Sequence, residues 1–260
     1  MDVEVLVVAS FGVGLAVAAM TAPVGVSGAV FLLPVQISVL SVPSPAVTPT
    51  NLLFNVISVP GALLRYSRRN SLRSTLTRLL LAGALPGVIG GAVIRVYLVP
   101  AAATFKVIAA VLLMTLGVWL CLTTATGVVG ERERPSRRMI TATALAVGVV
   151  GGIYGIGGGS LLSPILAGRG VPLAEVAPAA LTSTLLTSIV GAGTYAVLAA
   201  TTGGVDIAPD WVIGFSCGTG GLVGGFLGAH LQPVAPERAL RYLLAGLAVA
   251  TAAVYVVQSL

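Results

Sequence analysis

Two short stretches of this chain could present their backbone to a ligand, Gly25-Val26-Ser27-Gly28-Ala29 and Gly155-Ile156-Gly157-Gly158-Gly159-Ser160. Glycine lets a small ligand approach the main chain closely, and a helix that begins after such a stretch opens with unpaired N–H groups and a positive dipole end. Both properties select an anion. The candidate donors are the N–H groups of Ser27, Gly28 and Ala29 and of Gly157, Gly158 and Gly159. The competing reading is that these glycines only let helices pack closely, as small residues do in membranes. Asn51 and Asn55 follow the first stretch at helical spacing, and Thr182, Ser183 and Thr187 follow the second. Polar groups of this kind in an apolar helix face the interior, where they either touch a substrate or bond helix to helix. Thr48 and Thr50 are candidates of the same kind.

Other chemistry finds little support. The eight carboxylates, Asp2, Glu4, Glu131, Glu133, Glu175, Asp206, Asp210 and Glu237, all map to ends or turns, so no buried proton-carrying carboxylate is expected. Cys121 and Cys217 lie in apolar runs without metal-ligand spacing and read as buried small hydrophobes; no metal, cofactor or disulfide framework is expected. The second stretch lacks the lysine and preceding strand of a phosphate-binding loop. Gly25-Val26-Ser27-Gly28 resembles the GxSG motif of intramembrane rhomboid proteases, with His230 as the base such a serine would need. The second stretch puts Gly157 where Ser27 stands, so a structural break explains the motif without catalysis, and no catalytic residue is assigned.

The stretches belong to a repeat. Gly25, Gly28 and Pro34 recur 130 residues later as Gly155, Gly158 and Pro164. Thr50, Asn51, Asn55 and Gly61 then match Thr182, Ser183, Thr187 and Gly193, and Gly87, Gly90 and Gly91 match Gly221, Gly224 and Gly225. Between the copies lies a charged, proline-containing linker, Gly130 to Arg138. The expected organisation is therefore a first membrane repeat over 1–129, a linker over 130–138 and a second membrane repeat over 139–260.

The positioning elements must be membrane helices. The chain is 57% apolar and 8% charged, with a mean hydropathy of +1.05, which only lipid can solvate. Apolar runs fall at about 3–40, 46–66, 76–99, 103–129, 139–168, 174–200, 209–232 and 238–258, leaving no room for a soluble domain. The first run of each half carries the glycine-rich stretch and is read as two pieces; those flanking Gly155–Gly159 have about 12–15 residues, which favours half-membrane helices. Asp2 and Glu4 replace the basic start of a signal peptide, so no cleaved leader is expected.

The net charge of +6 comes from arginines clustered between apolar runs, at 65–78 and 132–138, which reads as cytoplasmic loops and not as a nucleic-acid surface. The 201–210 segment has Asp206 and Asp210 and no basic residue, so it is expected outside. This parity needs the glycine-rich run to turn back on itself, either re-entrant or as two crossings. The halves are then inverted, with five helical pieces each and both termini outside. Arg95 and Lys106 flank an expected external turn against the rule, and Arg95 and His230 read as side chains snorkelling to the interface. The fold class is an all-α polytopic membrane protein of two inverted repeats.

The glycine-rich break followed by Leu161-Leu162-Ser163-Pro164, the Leu181-Thr182-Ser183-Thr184 helix segment and the duplicated layout resemble the TauE/SafE family of sulfite and organosulfonate exporters. In the first half Ser27 and Ala29 replace glycines and Asn51 replaces a serine. The resemblance implies a multi-pass inner-membrane exporter of small sulfur-containing anions, with the lipid bilayer as its other partner and homo-oligomerisation left open. The remaining alternative is an accessory or binding subunit of a membrane complex.

Overall fold

The structure, a computed structural model, describes residues 2–68, 72–98, 135–202 and 207–259 and some positions between 107 and 125. All regular structure among them is helical. The first half contains α1 (Val3–Thr21), α2 (Ala29–Ser38), α3 (Ser44–Ser67) and α4 (Thr75–Tyr97), and the described positions between 107 and 125 are helical too. The second contains α5 (Arg137–Tyr154), α6 (Leu162–Ala167), α7 (Leu173–Thr202), α8 (Trp211–Leu231) and α9 (Glu237–Ser259). Of the expected linker, residues 130–134 lie outside the described residues, and α5 already starts within its last two arginines.

Local chemistry sets the helix ends. Ser74, Ser136 and Asp210 occupy N-cap positions and accept from the N–H groups of Thr77, Met139 and Ile213 at 3.1, 3.3 and 2.9 Å. Each supplies an oxygen to a donor that the first helical turn leaves unpaired. Gly25 and Gly155 stop the opening helical segment of each half at φ of +72° and +69°. An L side chain adopts that left-handed region only with strain.

The spans Val3–Val24, Ala46–Ser67, Thr75–Tyr97, Leu173–Thr201 and Trp211–Leu231 are long and apolar enough to cross a membrane. Their outward faces carry Val8, Ile89, Val197 and Leu227, as lipid contact requires.

Small residues set the packing. Gly220, Gly224 and Gly228 of α8 press against the carbonyls of Phe11, Leu15 and Ala19 of α1, and Gly83, Gly87 and Gly91 of α4 press against those of Thr141, Leu145 and Val149 of α5. A side chain at any of these six would collide with backbone, so the two helix pairs are fixed at close range and run parallel. Gly90, which recurs in the repeat with Gly87 and Gly91, meets nothing within 4 Å and takes no part in the contact. Gly214, Gly218 and Gly225 receive Leu53, Ile57 and Ala62, so α3 also runs parallel to α8. In contrast α3 and α7 are antiparallel: Leu52 meets Gly191, while Val59, Ala62 and Tyr66 cluster with Ala177 and Leu181. α7 in turn runs parallel to α4, since Val88 meets Gly191 and Ala92 meets Tyr195.

Hence α1, α3 and α8 point one way and α4, α5 and α7 the other. One end of the bundle collects Arg65, Arg68, Arg73, Arg78, Arg137, Arg138, Arg169 and Arg238; the opposite end holds Asp2, Glu4 and Asp210. Arg169 at the basic end reaches Met139 on α5.

Two expectations are corrected here. The pieces flanking each break are unequal: α1 and α5 have 19 and 18 residues, nearly the length of a crossing at about 1.5 Å per residue, while α2 and α6 have only 10 and 6. Cys217 is buried as expected, but Cys121 is exposed.

Candidate functional site

Each break turns the chain back beside its own opening helix, so that α2 and α6 return into the bundle. After α1, a single 3-10 turn over Ala22–Val24 ends at Gly25, whose N–H returns to the Ala22 carbonyl at 3.0 Å. Gly28 then comes to rest beside Val17 and Phe54, level with the last turns of α1. A buried phenol closes each opening segment from the next long helix: Tyr66 donates to the Ala22 carbonyl at 2.9 Å, and Tyr195 to the Gly152 carbonyl at 2.9 Å.

The two breaks meet on α3. Asn55, fully buried, touches the Ser27 hydroxyl through Oδ1 and donates from Nδ2 to the Gly155 carbonyl at 3.2 Å. One turn earlier, Asn51 Nδ2 donates to the Ala29 carbonyl at 2.9 Å. A reciprocal contact runs from Ser163 of α6, whose hydroxyl donates to the Val24 carbonyl. Thr48 donates to the Ile153 carbonyl at 3.2 Å. Residues 100 or more positions apart are thus held in one polar core between the two turns.

On α7 the polar residues serve the second break. The Gly158 N–H donates to Thr187 Oγ1 at 2.8 Å, and Ser160 Oγ lies 3.3 Å from Thr184 Oγ1. Thr184, Ser188 and Ser160 were not singled out from sequence, although Thr184, Thr187 and Ser188 have the spacing of one helix face, which was the available signal. Thr182 is not brought to this core: it is half-buried and its hydroxyl returns to the Pro178 carbonyl of its own helix at 2.7 Å. Thr50 likewise serves structure, accepting from the Asp210 N–H at 2.8 Å where α8 begins.

Of the six candidate backbone donors, two are engaged by the protein itself, Ala29 N–H by Ser27 Oγ at 3.2 Å and Gly158 N–H by Thr187. Among the described residues, those of Ser27, Gly28, Gly157 and Gly159 make no hydrogen bond. Gly28 caps α2, but α6 starts only at Leu162, so Gly157, Gly158 and Gly159 belong to the turn before that helix. Three buried side-chain oxygens of α3 and α7 also lack partners among the described residues: Asn51 Oδ1, Ser183 Oγ and Ser188 Oγ, the last beside Gly157. Buried polar atoms are costly to leave unmet in an apolar interior.

The serine-protease geometry is not formed. Ser27 is committed to Asn55, and His230 is exposed at the end of α8 with Nδ1 on the Phe226 carbonyl at 2.8 Å. Arg95, expected to snorkel, is instead 3% exposed at the acidic end of the bundle. No cluster that could hold a metal ion occurs among the described residues.

A helical bundle with five spans long and apolar enough to cross a membrane defines the class as a multi-pass membrane protein. The family profile described as sulfite exporter TauE/SafE matches residues 10–255, and the chain belongs to that family. Neither the curated proteins nor the solved structures give a match.

Proposed function

We propose that this chain exports a small sulfur-containing anion, sulfite, a sulfonate or a similar species, across the cell inner membrane. The anion is held between the two glycine-rich breaks by Ser27, Gly28, Ala29, Asn51 and Asn55 from the first half and by Gly157, Gly158, Gly159 and Ser183 from the second, while Thr182, turned to its own helix, stands beside the site. The observation that carries this reading is Asn55, one buried amide that contacts both breaks and so joins them. An acceptor such as Asn51 Oδ1 among donors suits an anion that still carries a proton, as hydrogen sulfite does.

The same reading takes the halves as inverted repeats, in line with transporters built around broken helices. It is supported by the antiparallel packing of α3 and α7, which hold the same place in their halves, and by the exchange of partners in which α1 takes α8 while α5 takes α4. The basic end is then cytoplasmic.

The test is labelled-sulfite flux in proteoliposomes containing only the purified chain, with a panel of competing anions. Saturable flux blocked by sulfonates supports the proposal. Flux that appears only when a second membrane protein is co-reconstituted would make the chain an accessory subunit.

A further inference from the structure

Gln36 is fully buried on α2, and neither atom of its side-chain amide meets a hydrogen-bond partner among the described residues. It is the one described side chain with two such unmet atoms. An amide shut away from water without partners costs far more than an apolar side chain of the same size. The fold itself does not ask for it. Offset by the 130 residues that separate Gly25 from Gly155 and Pro34 from Pro164, the second repeat has Leu166 at this position. The two places are built alike: the N–H of Val42 returns to the Gln36 carbonyl at 2.8 Å, and that of Val171 to the Leu166 carbonyl at 3.1 Å. Leu166 is part of the apolar core. A hydrocarbon therefore serves the backbone and packing of such a position, and the amide of Gln36 is left over for a polar guest.

Its place on the helix points to the guest. Gln36 follows Ala29 by seven residues, which on an α-helix is about 20° short of two turns and roughly 10 Å along the axis. It thus shares the α2 face of Ala29, the residue whose carbonyl Asn51 holds from α3. From the first break α2 leads toward the acidic end, where α3 starts at Ser44. Polar side chains enclosed in membrane helices mark the paths of polar substrates. We propose that the Gln36 amide is a further contact for the transported anion on the acidic side of the first break. Nε2 donates to an anion oxygen, and Oε1 accepts from a species that keeps a proton, such as hydrogen sulfite. The contact rests on the transport reading and deepens it: it extends the polar lining of the first half toward the outer face, while Leu166 keeps the matching place in the second half apolar.

The experiment compares wild type, Gln36→Leu and Gln36→Met, by labelled-sulfite flux in proteoliposomes and by melting temperature in detergent. Leucine is the side chain of the second repeat, and methionine keeps the length of glutamine. Both variants should melt at or above the wild-type temperature, because an unmet amide is exchanged for an apolar side chain. Their half-saturating sulfite concentration should nonetheless rise about tenfold, as loss of one hydrogen bond to a charged group implies. A structural role gives the reverse pattern, a lower melting temperature with unchanged half-saturation in the folded fraction, and that result overturns the proposal; aggregation of both variants is its extreme. Half-saturation within about twofold of wild type at equal or higher stability also overturns it, and leaves the amide to a buried water. Transport stands in each of these cases. Absence of sulfite flux in wild type overturns the transport reading and this contact together.

Discussion

Asn55 Nδ2 donates to the carbonyl of Gly155 at 3.2 Å, across 100 residues of chain, while its Oδ1 meets the Ser27 hydroxyl. One side chain thereby fixes the distance between the two turns. Because the amide is fully buried, removing it strands two partners in a region without water.

Asn55→Ala should therefore lower stability by about 1–3 kcal/mol and abolish flux, whereas Asn55→Asp, which keeps Oδ1 but turns the donor toward Gly155 into an acceptor, should insert yet fail to transport. Thermal unfolding in detergent and flux in vesicles check the pair. Wild-type flux in Asn55→Ala would remove this residue from the site.

The phenols of Tyr66 and Tyr195 make the same bond at opposite ends of the bundle, to the carbonyls of Ala22 and Gly152. Tyr66→Phe keeps the buried ring and deletes one hydrogen bond, so it should cost about 1 kcal/mol of stability. Flux through the correctly folded fraction should stay near wild type, measured per monodisperse protein.

Glycine contacts predict a sharper contrast along α4. Gly87→Val drives a branched side chain into the Leu145 carbonyl and should cost roughly 1–3 kcal/mol or more, with Gly224→Val matching it against Leu15. Gly90→Ala has open space before it and should be neutral or stabilising by roughly 0.5–1 kcal/mol through helix propensity. Melting temperatures of the three variants give the comparison.

Much of this arrangement was legible in the sequence because it depends on composition and spacing. Gly25 and Gly155 had to be glycine for their positive φ, and the arginines between apolar runs announced which ends would gather. Contacts between helices were less accessible. Spacing alone matches Gly87 with Gly221, yet Leu145 follows Leu15 by the same 130 residues that separate Gly155 from Gly25, so contact pairs Gly87 with Gly224. A helix register one turn away looks equally good in a glycine-rich sequence, and only the opposing carbonyl distinguishes the two. The same limit hid Arg95: its position near a helix end reads as an interface, and its burial follows from the packing of α4 against α5 and α7, helices distant in the chain. Thr182 and Ser183 are neighbours whose side chains point about 100° apart on a helix, so one enters the core and the other does not.

Topology is open to a direct measurement. Residues 65–78 and 130–138 should be cytoplasmic and 201–210 external, as the gathering of arginines at one end requires. In a Cys121→Ser, Cys217→Ser background, a cysteine introduced at position 206 should react with an impermeant maleimide added outside intact cells, and one at position 73 only after permeabilisation. Labelling of position 206 solely from the cytoplasm would restore parallel halves.

The driving force follows from where the carboxylates lie. Glu175 is in the first turn of α7 at the basic end and Asp210 caps α8 at the other, so neither stands in the core between the breaks. An anion leaving a cell with an inside-negative potential of ~100 mV gains roughly 2.3 kcal/mol per charge, a gradient of about fiftyfold, without any coupling ion. Glu175→Gln should then leave both the flux and its voltage dependence nearly intact. A potassium diffusion potential imposed on proteoliposomes provides the measurement: outward-directed flux should rise with the potential and respond weakly to a pH gradient. Flux that ignores voltage and follows the pH gradient would mean that every negative charge leaves with a compensating proton, one more than the hydrogen sulfite monoanion carries, and would overturn export driven by the potential alone.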